Sequence, residues 1–336
     1  MNNKPIIFDT SDGQELRINM ISPWLKKYFE EENRNDSRTL KIVKLSLDGD
    51  FTCPNRDGSM GSGGCCFCSE SGSGDMASGT AEGVRSAMQR QIKLLSDKWP
   101  EEKYNLKYMA YFQSHTNTYG PVEKLRSLFE AALEVPDVVG LAIATRSDCI
   151  SDEALELLDE LNRRTFLWLE LGLQTIHDET AEAMNLCHSF SDYEDAVKRL
   201  NEKNIRIVTH LILGLPGETK EMMMESVSKA CETGSIFGMK LHMLNVVRGS
   251  QMAVKYPGYI PFESMEDYID LLIGALEIIS PEITMHRISG DAPRRTLIAP
   301  EWSYQKRTIL NNIHREMKMR NTWQGRLAKS LTHQVL

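Results

Sequence analysis

Six short apolar runs, each followed by a longer stretch of helical periodicity, constrain this chain more than any other feature. They are Lys41–Leu47, Lys107–Phe112, Gly140–Thr145, Phe166–Leu173, Ile205–Leu213 and Met239–Val247. They are near-continuously apolar, with β-branched or aromatic residues in each, as expected of strands buried on both faces. Between them, Gly120-Pro121 opens a helix with Val122, Leu125, Leu128, Phe129 and Ala132 on one face. Ser151 caps a second helix carrying Leu155, Leu158 and Leu161, and Ser191 with Glu194 reads as a capping box before Val197 and Leu200. Glu263–Ile279 is a further helix, stopped by Pro281. Right-handed strand–helix–strand crossovers then allow a doubly wound sheet or a barrel, complete or partial.

No Gly-rich linker interrupts the first 284 of the 336 residues, so one α/β domain is expected there. With 41% hydrophobic and 26% charged residues, disorder, collagen-like repeats and a disulfide scaffold are excluded. No apolar run approaches the ~20 residues that span a bilayer, and the first residues lack the apolar stretch of a signal peptide. A cytoplasmic protein with no membrane partner is expected, its cysteines reduced or bound to metal.

The first strand runs into CPNRDGSMGSGGCCFCSESGSG, residues 53–74. Cys53, Cys65 and Cys68 stand there as C-x11-C-x2-C among six glycines. A C-x2-C pair converges on one tight turn, and glycines let the loop wrap closely and aim N–H groups at sulfur. Three thiolates on a four-iron cluster leave one iron open to a substrate or cofactor. A zinc site of four cysteines, or of three and a histidine, is the alternative, giving a zinc-stabilised RNA-binding module without redox chemistry. Cys66 fits poorly as a fourth ligand because neighbouring side chains point apart, while Cys149, Cys187 and Cys231 are scattered and read as small buried residues.

The remaining strand ends are polar: Gln113 to Thr118, Thr145 to Asp148, Glu170 and Gln174, Gly214 to Glu218, and Asn245 to Gly249. Polar residues crowded at one end of six parallel strands describe a site. Charge is also uneven. From Met285 to Leu336 ten Lys/Arg face three Asp/Glu, leaving 29 basic against 44 acidic residues in the first 284. A net charge of −8 thus conceals a tail of +7 on a body of −15. Such asymmetry marks either a basic binding surface or a solvated helical face.

The three-cysteine loop, with ELGLQT in the fourth strand and HLILGLPGE in the fifth, resembles the radical S-adenosylmethionine (SAM) superfamily. AYFQSHTNTYGPVEKL, LAIATRSDC, KLHMLNVVRGS and MHRISGDAPRRTLIAPEWS extend the resemblance to the YhcC/YtqA-type group related to Elongator's radical SAM subunit. The resemblance implies an α/β fold: a partial (β/α)6 TIM-type barrel over residues 39–284. Residues 1–38 would form a surface lead-in and residues 285–336 a basic helical extension. It implies a [4Fe–4S] cluster on Cys53, Cys65 and Cys68, with SAM on the open iron and a low-potential electron donor such as flavodoxin or ferredoxin. Reductive cleavage of SAM would then yield a 5′-deoxyadenosyl radical that abstracts hydrogen.

By motif position, Gln113, Thr116 and Asn117 would meet the methionine end of SAM, and Thr145, Glu170 and Gln174 its middle. The turn Gly214, Leu215, Gly217 would approach its adenine. A charge paired with Arg146 is the alternative for Glu170, and a plain strand-ending turn for Gly214 to Gly217. Asn185-Leu-Cys-His188 departs from the Asn-Arg-Gly-His expected of the group, leaving His188, His210 and His115 as candidate catalytic side chains.

Relatives in this wider family modify tRNA at C5 of the wobble uridine. The expected reaction converts a carboxymethylaminomethyl group to aminomethyl, with no acetyl transfer; a small molecule or peptide is the alternative substrate. Arg287, Arg294, Arg295, Lys306 and Arg307, within a segment reaching Lys329, could neutralise phosphates of a tRNA partner. Trp302, Tyr304 and Trp323 could stack on bases or close the barrel edge.

Overall fold

A computed structural model describes residues 5–8, 15–33, 36–69, 71, 72, 74, 77–290 and 292–328. The strands are β1 (Thr39–Asp48), β2 (Ser78–Gly79), β3 (Tyr104–Phe112), β4 (Val138–Arg146), β5 (Phe166–Gln174), β6 (Arg206–Leu213), β7 (Gly238–Met243), β8 (Val246–Val247), β9 (Thr284–Arg287) and β10 (Leu297–Ala299). Eight of them form one parallel sheet in the order β2-β1-β3-β4-β5-β6-β7-β9, curled into a partial barrel. β8 and β10 pair antiparallel outside it. All six expected strands are present, neighbours in chain order, and β9 adds another at the far edge. The sixth run ends at Met243 rather than Val247, and its last two residues form β8.

The helices are α1 (Ile21–Tyr28), α2 (Val84–Ser96), α3 (Val122–Leu133), α4 (Asp152–Arg164), α5 (Asp178–Ala183), α6 (Phe190–Glu202), α7 (Lys220–Glu232), α8 (Gln251–Lys255), α9 (Met265–Ile278) and α10 (Lys306–Met319). Ser151 accepts from the Ala154 N–H and caps α4 as expected. The capping box of α6 sits two residues earlier than expected, on Ser189 and Asp192. Both serines have an acid three residues on; starting at Phe190 lets its ring stack on buried Tyr193, centroids 6.1 Å apart. No described helix is long and apolar enough to cross a membrane.

The lead-in is not a surface segment throughout. Ile18, Ile21, Leu25 and Phe29 are buried, and α1 packs Ile21, Leu25 and Phe29 against Met109, Phe166 and Trp168 at the lower end of the barrel. The start of the chain is also fastened to the end of the described chain. Buried Arg17 donates through Nη1 to the carbonyls of Met317 and Thr322, both at 3.3 Å. Gln324 is fully buried; its Oε1 accepts from the Asn19 N–H at 2.9 Å, and its Nε2 donates to Ser280 and Ile283 at 2.8 Å. Residues 285–287 belong to β9, so the expected extension boundary falls inside the sheet. Trp323 is buried and Trp302 packs on the core, which leaves exposed Tyr304 as the stacking surface among the three aromatics. Lys329 lies outside the described residues.

Candidate active site

A parallel sheet brings the C-terminal ends of its strands together, and the loop after β1 crosses that end. The turn from Cys65 to Cys68 closes with a backbone hydrogen bond of 3.0 Å, and the Arg56 N–H donates to the Cys53 carbonyl at 2.7 Å. Gly64 has φ of +77°, and a Cβ there would press on the Arg56 side chain at 2.8 Å, so the position favours glycine. Cys53, Cys65 and Cys68 all face one cavity of about 570 Å³. A hydrogen bond with Cys68, then burial, push the Cys65 thiol well above its ordinary value, and Cys53 adds to this. Thiols that interact this closely suit a shared electrophilic partner.

Among the described residues, no three His, Cys, Asp or Glu side chains are arranged to hold a single metal ion. Asn55 adds a polar touch, its Nδ2 lying 3.6 Å from Cys65 Sγ. Cys66 turns away from the cavity into an apolar cluster with Met184, Leu186 and Met252, and its sulfur accepts from Lys255 Nζ at 3.5 Å.

Asn185-Leu-Cys-His188 holds this loop in place. Asn185 Nδ2 donates to the carbonyls of Gly64 at 2.8 Å and Ser62 at 3.2 Å, and fully buried Asn55 donates back to the Asn185 carbonyl. Cys187 is half-buried, not buried, with its sulfur 3.2 Å from Asn55 Oδ1. Arg146 pairs with Asp148 at 2.7 Å and donates to the Leu186 and Cys187 carbonyls at 2.8 and 3.1 Å. Asp148, not Glu170, is therefore the partner of Arg146.

Glu170 is fully buried and makes a denser network. Tyr111 donates to its Oε2 at 2.6 Å, Trp168 Nε1 to its Oε1 at 3.0 Å, and Lys240 Nζ pairs with it. His210 Nε2 lies 3.2 Å from the same Oε2, off the line of a hydrogen bond. Burial disfavours the carboxylate, but Lys240 and then His210 outweigh that and hold Glu170 well below the usual range. Burial lowers Lys240 to about 7 despite the pull of Glu170, and lowers His210 to about 4 with Lys240 assisting. Tyr111, Lys240, His242 and Asn245 also line the cavity; all four lie in the quoted motifs, but none was singled out as a candidate site residue.

The structure brings together most of the expected site residues. Gln113, Thr116, Thr145, Glu170 and Gln174 line the cavity, and so do His115, His188 and His210. Two assignments differ. Asn117 is fully buried and fastens β3 to β4, donating to the Phe112 and Ala144 carbonyls at 3.2 and 2.8 Å. Gly214, Leu215 and Gly217 stay outside the wall: a Cβ on Gly214 would strike Phe262 at 2.7 Å, and Leu215 is fully buried. Of the five cations expected to meet tRNA, Arg287 lines the cavity from β9, whereas Arg294, Arg295, Lys306 and Arg307 are exposed.

Residues 58–230 match the family model described as Radical SAM superfamily, and residues 236–319 the Radical_SAM C-terminal domain. The chain is 40% identical to YtqA of Bacillus subtilis over 98% of both proteins. It is 25% identical to the tRNA uridine(34) acetyltransferase of Methanocaldococcus jannaschii over 48% of this chain and 30% of that protein. Among solved structures, the archaeal Methanocaldococcus infernus Elp3 superposes with a TM-score of 0.61 at 17% identity, over 84% of this chain and 64% of that one, a likeness of fold. With the three-cysteine loop at the mouth of a partial parallel barrel, these matches establish that the chain belongs to the radical SAM superfamily and is an enzyme using a [4Fe–4S] cluster and SAM.

Proposed function

We propose that this enzyme modifies the wobble uridine of tRNA at its C5 side chain, converting carboxymethylaminomethyl to aminomethyl. In this reading Cys53, Cys65 and Cys68 hold the cluster, and Gln113, Thr116, Thr145 and Gln174 face SAM. Together those groups supply, when bound, a radical able to take hydrogen from an unactivated carbon. The chain's own part is to orient and to exclude water. The buried layer of Tyr111, Trp168, Glu170 and Lys240 closes the inner end, so a reacting arm would sit away from solvent.

One observation carries the choice of RNA. Ala292 and Pro293 line the cavity, and the next two residues, Arg294 and Arg295, are exposed. Arg294 lies over the exposed Tyr304 ring, 4.5 Å from its centroid. Two cations and an aromatic face beside the entrance suit a phosphate backbone and a splayed base. The tRNA uridine(34) acetyltransferase among the relatives supports the same substrate class.

The test is anaerobic incubation with SAM, reductant and bulk tRNA, followed by nucleoside mass spectrometry. Loss of the carboxymethylaminomethyl nucleoside with gain of the aminomethyl form is expected. Formation of 5′-deoxyadenosine with no altered nucleoside would turn the reading toward a small molecule or peptide.

A further inference from the structure

Behind the cavity wall, one buried side chain reaches a cysteine sulfur. Cys65 lines the cavity; Asn55, fully buried two residues after Cys53, does not, and its amide meets that sulfur from the protein side. Asn55 Nδ2 lies 3.6 Å from Cys65 Sγ and also donates to the Asn185 carbonyl. At the other end of the amide, Oδ1 accepts from the Cys187 thiol at 3.2 Å and from Asn185 Nδ2 at 3.4 Å. The backbone ties the same loop together, since the Gly64 N–H donates to the Asn55 carbonyl at 2.8 Å.

These partners fix which way the amide points. A carbonyl oxygen only accepts, so the Asn55 atom facing the Asn185 carbonyl must be the nitrogen. Asn185 is oriented in the same way by the Ser62 and Gly64 carbonyls, which keeps its own nitrogen toward Asn55 Oδ1. A Cβ on Gly61 would strike Asn55 Oδ1, so the loop closes tightly on the amide. The second N–H of Asn55 is thereby aimed at Cys65 Sγ, in a place closed to water. A hydrogen bond donated to a cluster thiolate stabilises added negative charge, and burial strengthens it.

We infer that Asn55 tunes the reduction potential of the [4Fe–4S] cluster: its side-chain amide donates a hydrogen bond to the Cys65 sulfur and makes one-electron reduction easier. The electron comes from the external low-potential reductant and stays on the cluster, and no bond forms or breaks at Asn55. Asn55 acts through Cys65 and is a positioning residue. The inference rests on the reading that Cys65 is a cluster ligand. It goes beyond that reading by giving a residue outside the cavity a part in how readily the cluster takes its electron.

The test is an anaerobic redox titration of the cluster-loaded enzyme without SAM, followed by electron paramagnetic resonance. Asn55→Leu keeps the shape of the side chain and removes the donor. Its cluster should be about tenfold harder to reduce, a fall of about 59 mV for one electron. Asn185→Ala loosens the same loop but leaves the Asn55 amide, and its cluster should stay within about twofold of wild type. A wild-type potential in the loaded fraction of Asn55→Leu, or an equal fall in Asn185→Ala, overturns the inference. Should Asn55→Leu take up no iron, wild type decides. With 15N placed only in asparagine side chains, pulsed resonance of the reduced cluster should show a 15N coupling, and its absence overturns the inference. Cys65→Ala checks the ligand reading separately and should hold no four-iron cluster. A wild-type cluster in Cys65→Ala overturns the ligand reading and the inference together; an unchanged Asn55→Leu potential beside a cluster-free Cys65→Ala sinks the inference alone.

Discussion

Asn185 Nδ2 donates to the Gly64 carbonyl at 2.8 Å, joining the loop after α5 directly to the loop that carries the three cysteines. The bond spans 121 residues of sequence and lies one peptide from Cys65. Removing it leaves a part-buried carbonyl without its donor, at about 1–3 kcal/mol. Asn185→Ala should therefore keep the fold but shed iron faster, by severalfold, when the purified enzyme is challenged with a chelator. Iron release at the wild-type rate would show that the cysteine loop stands without this tie.

Glu170 and Lys240 should be coupled. Glu170→Gln leaves a buried ammonium without its carboxylate, and a stability loss of about 3 kcal/mol is expected. Glu170→Gln combined with Lys240→Met should recover most of it, since neither charge is then stranded. Chemical unfolding of both single variants and the double variant supplies the coupling energy. Additive losses would mean that the two side chains do not act as a pair.

Acid should weaken the fold through His210. Its value is about 4 in the folded protein against 6.5 ordinarily, because burial and the charge of Lys240 oppose protonation. As pH falls below 6.5 the unfolded chain takes up the proton first, so stability drops until the folded value near 4 is passed. Between pH 7 and 5 this amounts to about 2 kcal/mol. Glu170, Lys240, Arg287 and His242 all act on the ring and share in its titration. Unfolding of wild type and His210→Gln at pH 7 and pH 5 isolates the contribution, and the variant should lose less. Equal losses would remove His210 as the cause.

Charge at the cavity mouth should govern RNA affinity. Replacing both Arg294 and Arg295 by alanine should weaken tRNA binding about tenfold at low salt and reduce the salt slope by about 2. Filter binding over a range of salt concentrations reads both quantities. An unchanged slope would place the phosphate contacts elsewhere on the molecule.

The strands were legible because each is a continuous apolar run, a pattern local enough to read without neighbours. The cysteine loop was legible for a similar reason: its spacing and glycines sit within 22 residues. Tyr111 and Lys240 stood inside quoted motifs and Lys44 in the first strand, yet nothing local tied them to Glu170. Each is one inward position on a buried strand, and only the curl of the sheet brings the three around Glu170. Asn185 stood in a noted motif, but its role did not show, since a carbonyl 121 residues away leaves no mark on the local pattern. Gly214 read both ways because a strand-ending glycine looks alike whether it meets a ligand or lies, as here, close to the ring of Phe262.

The mutual fastening of the two chain ends has a consequence for biosynthesis. Arg17 waits for the carbonyls of Met317 and Thr322, and Asn19 for the side chain of Gln324. A nascent chain can assemble its strands in order as they emerge, but these bonds must wait until residue 324 has cleared the ribosome. Until then the early segment that includes α1 lacks its latch, and the apolar surface beneath the barrel is open to chaperones. A chain halted before residue 317 would leave Arg17 buried without these acceptors.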